Sequence, residues 1–97
     1  MKATLLIKLL SETSKPEMIK LLLKALFTNK EIKELENRIK IFQLLLKGKK
    51  QRDISEILNV GIATVTRGAS ALENEDIFKV NSEIIQMLKT NKIDLND

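Results

Sequence analysis

Residues 51–72 read QRDISEILNVGIATVTRGASAL, and this segment is the most informative about the fold. Apolar residues recur at helical spacing on both sides of a three-residue break, Asn59-Val60-Gly61. Asn59 tolerates the left-handed backbone conformation that such a turn requires, and Val60 can fill the space between the two helices. The pattern therefore predicts a helix-turn-helix over about 51–72.

Each of the two helices has an apolar side. The first, over about 51–58, is expected to turn Ile54, Ile57 and Leu58 inward. The second, over about 62–72, is expected to turn Val65 and Leu72 inward. An ordinary helical hairpin within a bundle has the same pattern, so that alternative stays open here.

The rest of the chain also predicts helices. It contains only three Gly and one Pro, and its β-branched residues do not alternate over any long stretch. Further helices are expected over about 3–10, 16–26, 29–47 and 79–89. The predicted fold class is all-α, with about six helices in a single domain over 1–97. A frayed, disordered tail is expected over 91–97.

Two segments have the spacing of a capping box, in which a hydroxyl and a carboxylate satisfy each other's backbone N–H groups at a helix start. They are Ser14-Lys15-Pro16-Glu17 and Thr28-Asn29-Lys30-Glu31. Pro16 falls in the first turn of its helix, where a missing N–H costs nothing. The second segment opens the longest predicted helix, which Gly48 follows.

That longest helix has more apolar surface than one neighbour would cover. One seam recurs at spacings of three and four residues: Ile32, Leu35, Ile39, Phe42 and Leu46. Three further residues widen it: Ile41, Leu44 and Leu45. A chain of 97 residues is too short to cover this surface by itself, so we expect an obligate homodimer.

Composition excludes several classes of protein. The chain has no Cys and no His, which removes disulfides, the usual zinc ligands and nucleophile–imidazole pairs. No carboxylate pair has a recognisable catalytic spacing, so we expect neither an enzyme nor a cofactor. No apolar run approaches the length of a membrane span, and residues 1–10 do not resemble a signal peptide. We expect a cytoplasmic protein that makes no membrane contact.

Positive charge is concentrated just before and at the start of the predicted helix-turn-helix. The net charge is +4, and residues 37–52 contain six basic residues and no acidic one: Arg38, Lys40, Lys47, Lys49, Lys50 and Arg52. Such a field attracts polyanions, nucleic acid first among them. A solvated helix face is the plainer interpretation. The chain has only three arginines, which suggests that each serves a role needing a flat, forked guanidinium.

The outer side of the second helix favours DNA. Ile62 and Ala63 have no inward role and can meet thymine methyl groups, while the hydroxyls of Thr64 and Thr66 suit phosphates or base edges. Arg52 is the candidate for a bidentate contact with guanine. The other candidate DNA contacts are Asn37, Lys40, Lys49, Lys50, Gln51 and Ser55.

The stretch from Leu26 to Leu72 resembles the tryptophan repressor family. The matching segments, in order, are Leu26-Phe27-Thr28, Asn37-Arg38-Ile39-Lys40-Ile41, Leu45-Leu46-Lys47-Gly48, Gln51-Arg52 and Gly61-Ile62-Ala63-Thr64-Val65-Thr66-Arg67-Gly68. The resemblance implies an intertwined, all-helical homodimer. It also implies a repressor that binds a palindromic operator in double-stranded DNA when L-tryptophan, its corepressor, is bound.

The same resemblance implies a ligand site. Arg38 and Arg67 would stack on the two faces of the indole ring, with Arg67 also meeting the ligand carboxylate. Thr28 would add a hydroxyl at that carboxylate, and the ligand's amino group would bond to backbone carbonyls near Ala25 and Phe27 across the dimer. The remaining pocket residues would be Thr64 and Gly68. We expect the missing side chain of Gly68 to leave room for the flat ligand.

Two residues depart from the family pattern. Ala71 stands where the family has a serine that holds the ligand's amino group, and Ser55 stands where a basic contact residue is usual. The change at Ala71 predicts weaker tryptophan binding, or a preference for a related indole acid that lacks the amine. Two alternatives therefore stay open: a ligand-independent DNA-binding regulator of the same fold, and a helical adaptor whose basic face binds an acidic protein.

Overall fold

The computed structural model describes residues 2–74 and 82–92, and these residues form six helices and no strand. The helices are α1 (Thr4–Glu12), α2 (Pro16–Leu26), α3 (Asn29–Leu46), α4 (Gln51–Leu58), α5 (Ile62–Leu72) and α6 (Ser82–Thr90). The all-helical prediction is confirmed. Val80, predicted within the last helix, and residues 93–97 of the predicted tail lie outside the described residues.

The chain divides into two compact units, Met1–Glu34 and Leu35–Asp97. In the first unit, neither α1 nor α2 contains a buried residue. Most of their large apolar side chains are instead exposed, Leu5 to 71% and Leu21 to 67%. Helices of this size gain most of their stability from packing an apolar face, so this unit needs a further surface to cover it. The single-domain prediction for the whole chain stays a prediction.

The start of α3 is closed by the predicted capping box. The Glu31 N–H donates to the Thr28 hydroxyl oxygen over 3.1 Å, and the Thr28 N–H donates to the Glu31 carboxylate over 2.9 Å. Hydrogen bonds from Thr28 lower the pKa of the Glu31 carboxyl group. The bond from the Thr28 backbone has the larger effect and the bond from its side chain the smaller one. The prediction of a capping box at Ser14 and Glu17 was wrong, because the N-cap of α2 is Lys15 and no side chain bonds to the start of that helix.

The core of the second unit joins α3 to the helix-turn-helix. The largest fully buried side chains in the described ranges are Ile41, Ile54 and Val65, one from each of α3, α4 and α5. Leu44 is also buried there, and three half-buried residues pack against the cluster: Leu45, Leu58 and Val60. The prediction that Ile57 faces inward was wrong, because its side chain is 42% exposed.

Within this unit, α3 buries a different face from the predicted seam. Ile41 and Leu44 are buried, whereas the seam residues Leu35 and Ile39 are 44% and 43% exposed. The packing of the helix-turn-helix therefore uses the residues that widen the apolar stripe. Two of the five seam residues, Leu35 and Ile39, are left exposed on this chain, and the other three are half-buried.

Gly68 allows α5 to approach α3 closely. The residue is buried, and a Cβ atom built on it would lie 2.7 Å from the Cγ2 methyl of Ile41. That separation is shorter than carbon atoms tolerate, so this helix contact requires glycine. The space of the missing side chain is filled by Ile41, and the predicted ligand contact of Gly68 stays a prediction.

The last helix is held to α3 by a buried glutamine. Gln43 is 6% exposed, and its side-chain amide donates to the carbonyl oxygens of Leu88 (3.0 Å) and Asn91 (2.9 Å). The last carbonyls of a helix have no partners within the helix, so Gln43 caps the C-terminal end of α6. Contacts within the chain thus extend to Asn91, the first residue of the predicted tail.

Candidate nucleic-acid interface

The turn of the helix-turn-helix is fixed by its own residues. Asn59 adopts φ 53° and ψ 49°, the left-handed conformation that the sequence predicted for it. The Ser55 hydroxyl donates to the Val60 carbonyl over 2.6 Å, which ties α4 to the middle residue of the turn. Ser55 therefore uses its only hydroxyl hydrogen within the turn, a role that sequence reasoning missed.

The amino-terminal part of α5 presents side chains to solvent. Ile62 is 52% exposed, and Ala63 and Thr66 are also exposed, whereas Val65 between them is fully buried. The prediction that Ile62 and Ala63 have no inward role is confirmed. One face of α5 thus fixes the helix in the core, and its outer face is available for contacts with another molecule.

A hydrogen bond joins the start of α4 to the exposed face of α5. The Thr66 hydroxyl donates to the side-chain carbonyl oxygen of Gln51 over 2.9 Å. Gln51 is the first residue of α4 and is half-buried, whereas Thr66 is exposed on α5. The sequence predicted both residues as DNA contacts but gave no signal for the bond between them, because they are 15 positions apart.

The basic segment between α3 and α4 has a defined backbone. Gly48 adopts φ 86°, its N–H donates to the Leu45 carbonyl (2.9 Å), and the Lys49 N–H donates to the Leu44 carbonyl (3.1 Å). These two bonds and the left-handed glycine form a Schellman motif, which ends α3 and turns the chain sharply. Four basic residues around this turn are exposed: Lys47, Lys49, Lys50 and Arg52.

Lys40 differs from the other basic residues of this region. Its side chain is only 6% exposed, on the part of α3 that packs within the chain. It is therefore separate from the exposed basic segment, and its predicted DNA contact stays a prediction. Asn37, the other candidate contact on α3, is half-buried.

The candidate ligand residues are divided between the two units. In the second unit, Arg38 is half-buried and Arg67 is exposed. The Arg67 guanidinium donates to the Thr64 hydroxyl over 3.4 Å, one turn earlier on α5. Ala71 is half-buried on the same helix.

In the first unit, Ala25 and Thr28 are exposed and Phe27 is half-buried. The Thr28 hydroxyl belongs to the capping box, and its oxygen accepts the bond from the Glu31 N–H. No cluster of acidic side chains that could hold a metal ion occurs within residues 2–74 and 82–92. None of the helices in these two ranges is long and apolar enough to cross a membrane.

These observations define a class: an all-helical protein with a helix-turn-helix whose second helix turns one face outward beside an exposed basic segment. The family described as Trp repressor protein matches residues 2–80 of the chain. The chain therefore belongs to the Trp repressor family, which is a regulatory, non-enzymatic family.

Individual relatives agree. A Trp operon repressor homolog of Xylella fastidiosa (strain M23) is 36% identical over 74 residues, covering 75% of this chain and 80% of that protein. One from Vibrio parahaemolyticus serotype O3:K6 is 38% identical over 71 residues, covering 72% and 69% respectively. One from Vibrio vulnificus (strain YJ016) is 45% identical over 65 residues, covering 63% and 64%. No solved structure matches.

Proposed function

We propose that this protein is a transcriptional repressor that binds a palindromic DNA operator as a homodimer, with L-tryptophan as corepressor. One observation carries the DNA-binding part. The outer face of α5, with Ile62, Ala63 and Thr66 exposed, lies in the same helix-turn-helix as Arg52 and follows the exposed basic segment. A helix of this kind enters the major groove of DNA, and the lysines contact the sugar–phosphate backbone.

Dimerisation is supported by the apolar surface of the first unit. Most of the large apolar side chains of α1 and α2 are exposed, and a cavity of about 490 Å³ opens between α2 and the start of α3. Ile19, Leu23 and Ile32 line this cavity. A second copy of the chain is the partner we propose for these surfaces, because two reading helices are also what a palindromic site requires.

Ligand control is supported by the two arginines outside the basic segment and by membership of the family. In the mechanism we propose, tryptophan binds between Arg38 on α3 and Arg67 on α5. It thereby stabilises the arrangement in which the two recognition helices lie about 34 Å apart, the half-site spacing of helix-turn-helix dimers such as the Trp repressors themselves. A ligand shifts this equilibrium only through its preference for that arrangement.

The decisive test is DNA binding by the purified protein with and without L-tryptophan. Duplexes are selected from a randomised pool in the presence of tryptophan, and affinity is then measured by fluorescence anisotropy. We expect tryptophan to tighten binding, and Arg67→Ala to abolish that response. Lys89→Ala, on α6, is the matched control and should respond like the unchanged protein. An unaltered response in Arg67→Ala would contradict the assignment.

Ala71 favours a second candidate function, a DNA-binding regulator of the same fold that does not need tryptophan. Without the hydroxyl that is usual at this position, the ligand ammonium loses one acceptor, and a hydrogen bond to a charged group contributes about 1.5–3 kcal/mol. Calorimetry with tryptophan and with indole-3-propionate should show the preference moving toward tryptophan in Ala71→Ser. DNA binding that is equally tight with and without tryptophan would favour the second candidate.

A helical adaptor that binds an acidic protein is the remaining alternative. It predicts no DNA binding even at about 50 mM salt, where contacts with phosphates are strong. The same anisotropy measurement at low salt therefore distinguishes it from both DNA-binding candidates.

A further inference from the structure

We propose that Gln51 is a positioning residue that makes Thr66 read hydrogen-bond donors on the edge of a base pair. This inference rests on the proposed DNA-binding function and deepens it. It concerns whether the Thr66 hydroxyl donates or accepts a hydrogen bond at the DNA, which Gln51 and Thr66 determine together.

The geometry joins the two helices at the face that we propose for DNA. Gln51 is at the amino-terminal end of α4, and Thr66 lies in the first half of α5. The Thr66 hydroxyl donates to the Gln51 carbonyl oxygen over 2.9 Å, a length typical of a well-formed bond. The exposed position of Thr66 leaves the other side of its oxygen open to a second molecule.

The bond determines what Thr66 can offer to that molecule. An unrestrained threonine hydroxyl rotates, and it can donate one hydrogen bond or accept up to two. Once its single hydrogen is directed at Gln51, only lone pairs face outward. Thr66 then accepts but does not donate.

Base edges in the major groove differ in whether they present hydrogen-bond donors or acceptors. The amino groups of adenine and cytosine are donors, whereas guanine O6 and thymine O4 are acceptors. Thr66 held by Gln51 should therefore favour an amino group at the base it meets. The Gln51 amide nitrogen keeps its N–H donors, which suit a phosphate oxygen.

A purely structural role for this bond makes a different prediction. If the bond only stiffens the helix-turn-helix, its loss should weaken binding to all sequences by a similar factor. If it sets the polarity of Thr66, its loss should relax the preference at one base pair in each half-site and leave the preferences elsewhere unchanged.

The experiment compares Gln51→Met, Thr66→Val and the double variant with the unchanged full-length chain, all in saturating L-tryptophan. Met and Val keep the approximate shape of the side chains and remove the bond. Gln86→Met, an exposed glutamine on α6, is the matched control. Each protein is titrated with the best selected duplex and with every single base-pair change of it, and circular dichroism melting verifies folding.

We expect the unchanged chain and Gln86→Met to prefer an amino group at one base by about 2- to 12-fold, the range that one neutral hydrogen bond gives. Gln51→Met and Thr66→Val should each lose that preference at the same base pair, and the double variant should lose nothing more. Preference retained in Gln51→Met, or reduced equally at all positions, would overturn the inference while DNA binding stands. No DNA binding by the unchanged chain would instead refute the proposed function, and this inference with it.

Discussion

Replacing Gly68 by alanine tests why α5 contains a glycine. If the residue is needed for helix packing, Gly68→Ala should destabilise the protein even in the absence of any ligand. If the empty position serves only a ligand, the same substitution should stabilise the unliganded protein, because alanine is the better helix former. The two explanations therefore predict changes of opposite sign in the free energy of unfolding.

The magnitude follows from two opposing terms. Alanine in a helix interior is favoured over glycine by about 1 kcal/mol. Against this, the new Cβ would lie 2.7 Å from the Cγ2 methyl of Ile41, a fully buried and β-branched side chain. Such a side chain has little rotamer freedom in a helix, and overpacking of a core typically costs about 1–3 kcal/mol. We expect a net loss of about 1 kcal/mol.

The assay is equilibrium unfolding in urea at one fixed protein concentration, because association with a second copy would make stability depend on concentration. Ile41→Leu removes the methyl at Cβ, so Gly68→Ala should cost about 1 kcal/mol less in that background than alone. Gly61→Ala is the control. Its new Cβ would have no neighbour within 4 Å, so the loss of about 1 kcal/mol that alanine causes at the N-cap of α5 should be the same with Ile and with Leu at position 41.

A result of the wrong sign would refute the packing argument. If Gly68→Ala raised the free energy of unfolding, Ile41 would have to move at little cost. Equal effects of Gly68→Ala with Ile and with Leu at position 41 would refute it as well, because the two residues would then not interact.

Three further predictions follow from contacts described above. Because backbone and side-chain bonds from Thr28 lower the pKa of Glu31, its stabilising effect is present at neutral pH and disappears as the pH falls through that lowered value. Thermal melts should therefore show the deficit of Glu31→Ala shrinking as the pH falls below the ordinary glutamate pKa of about 4.3. Gln43→Leu should leave carbonyls at the end of α6 without their donor and lower the free energy of unfolding in urea by about 1–3 kcal/mol. Lys49→Ala should weaken binding to all DNA and reduce the slope of log affinity against log salt by about 0.9, measured by anisotropy; an unchanged slope would mean that Lys49 contacts no phosphate.

Local features of the fold could be predicted from the sequence. The bounds of α4 and α5 follow from apolar spacing, and the left-handed turn follows from Asn59. The capping box at Thr28 and Glu31 follows from two residue types at fixed spacing. The Ser14 segment has equivalent residue types at that spacing, but α2 begins after Lys15 without using them.

Features that depend on distant parts of the chain could not be predicted in this way. Gln43 meets carbonyl groups 45 and 48 positions away, and nothing near it in the sequence indicates them. Lys40 and Lys49 are the same residue type, and the sequence alone does not distinguish them. The packing of α3 buries Lys40, whereas Lys49 is exposed. The link between Gln51 and Thr66 likewise depends on how two helices meet.

The hydrogen bonds by which Gln43 caps α6 can form only late in the synthesis of the chain. Ribosomes add residues from the amino terminus, so every side chain of the Ile41–Ile54–Val65 cluster is synthesised before the carbonyls of Leu88 and Asn91 exist. At about 5–20 residues per second, Gln43 precedes its two acceptors by about 2–10 s. The nascent chain thus has all the residues of its helix-turn-helix core before it can lock its final helix.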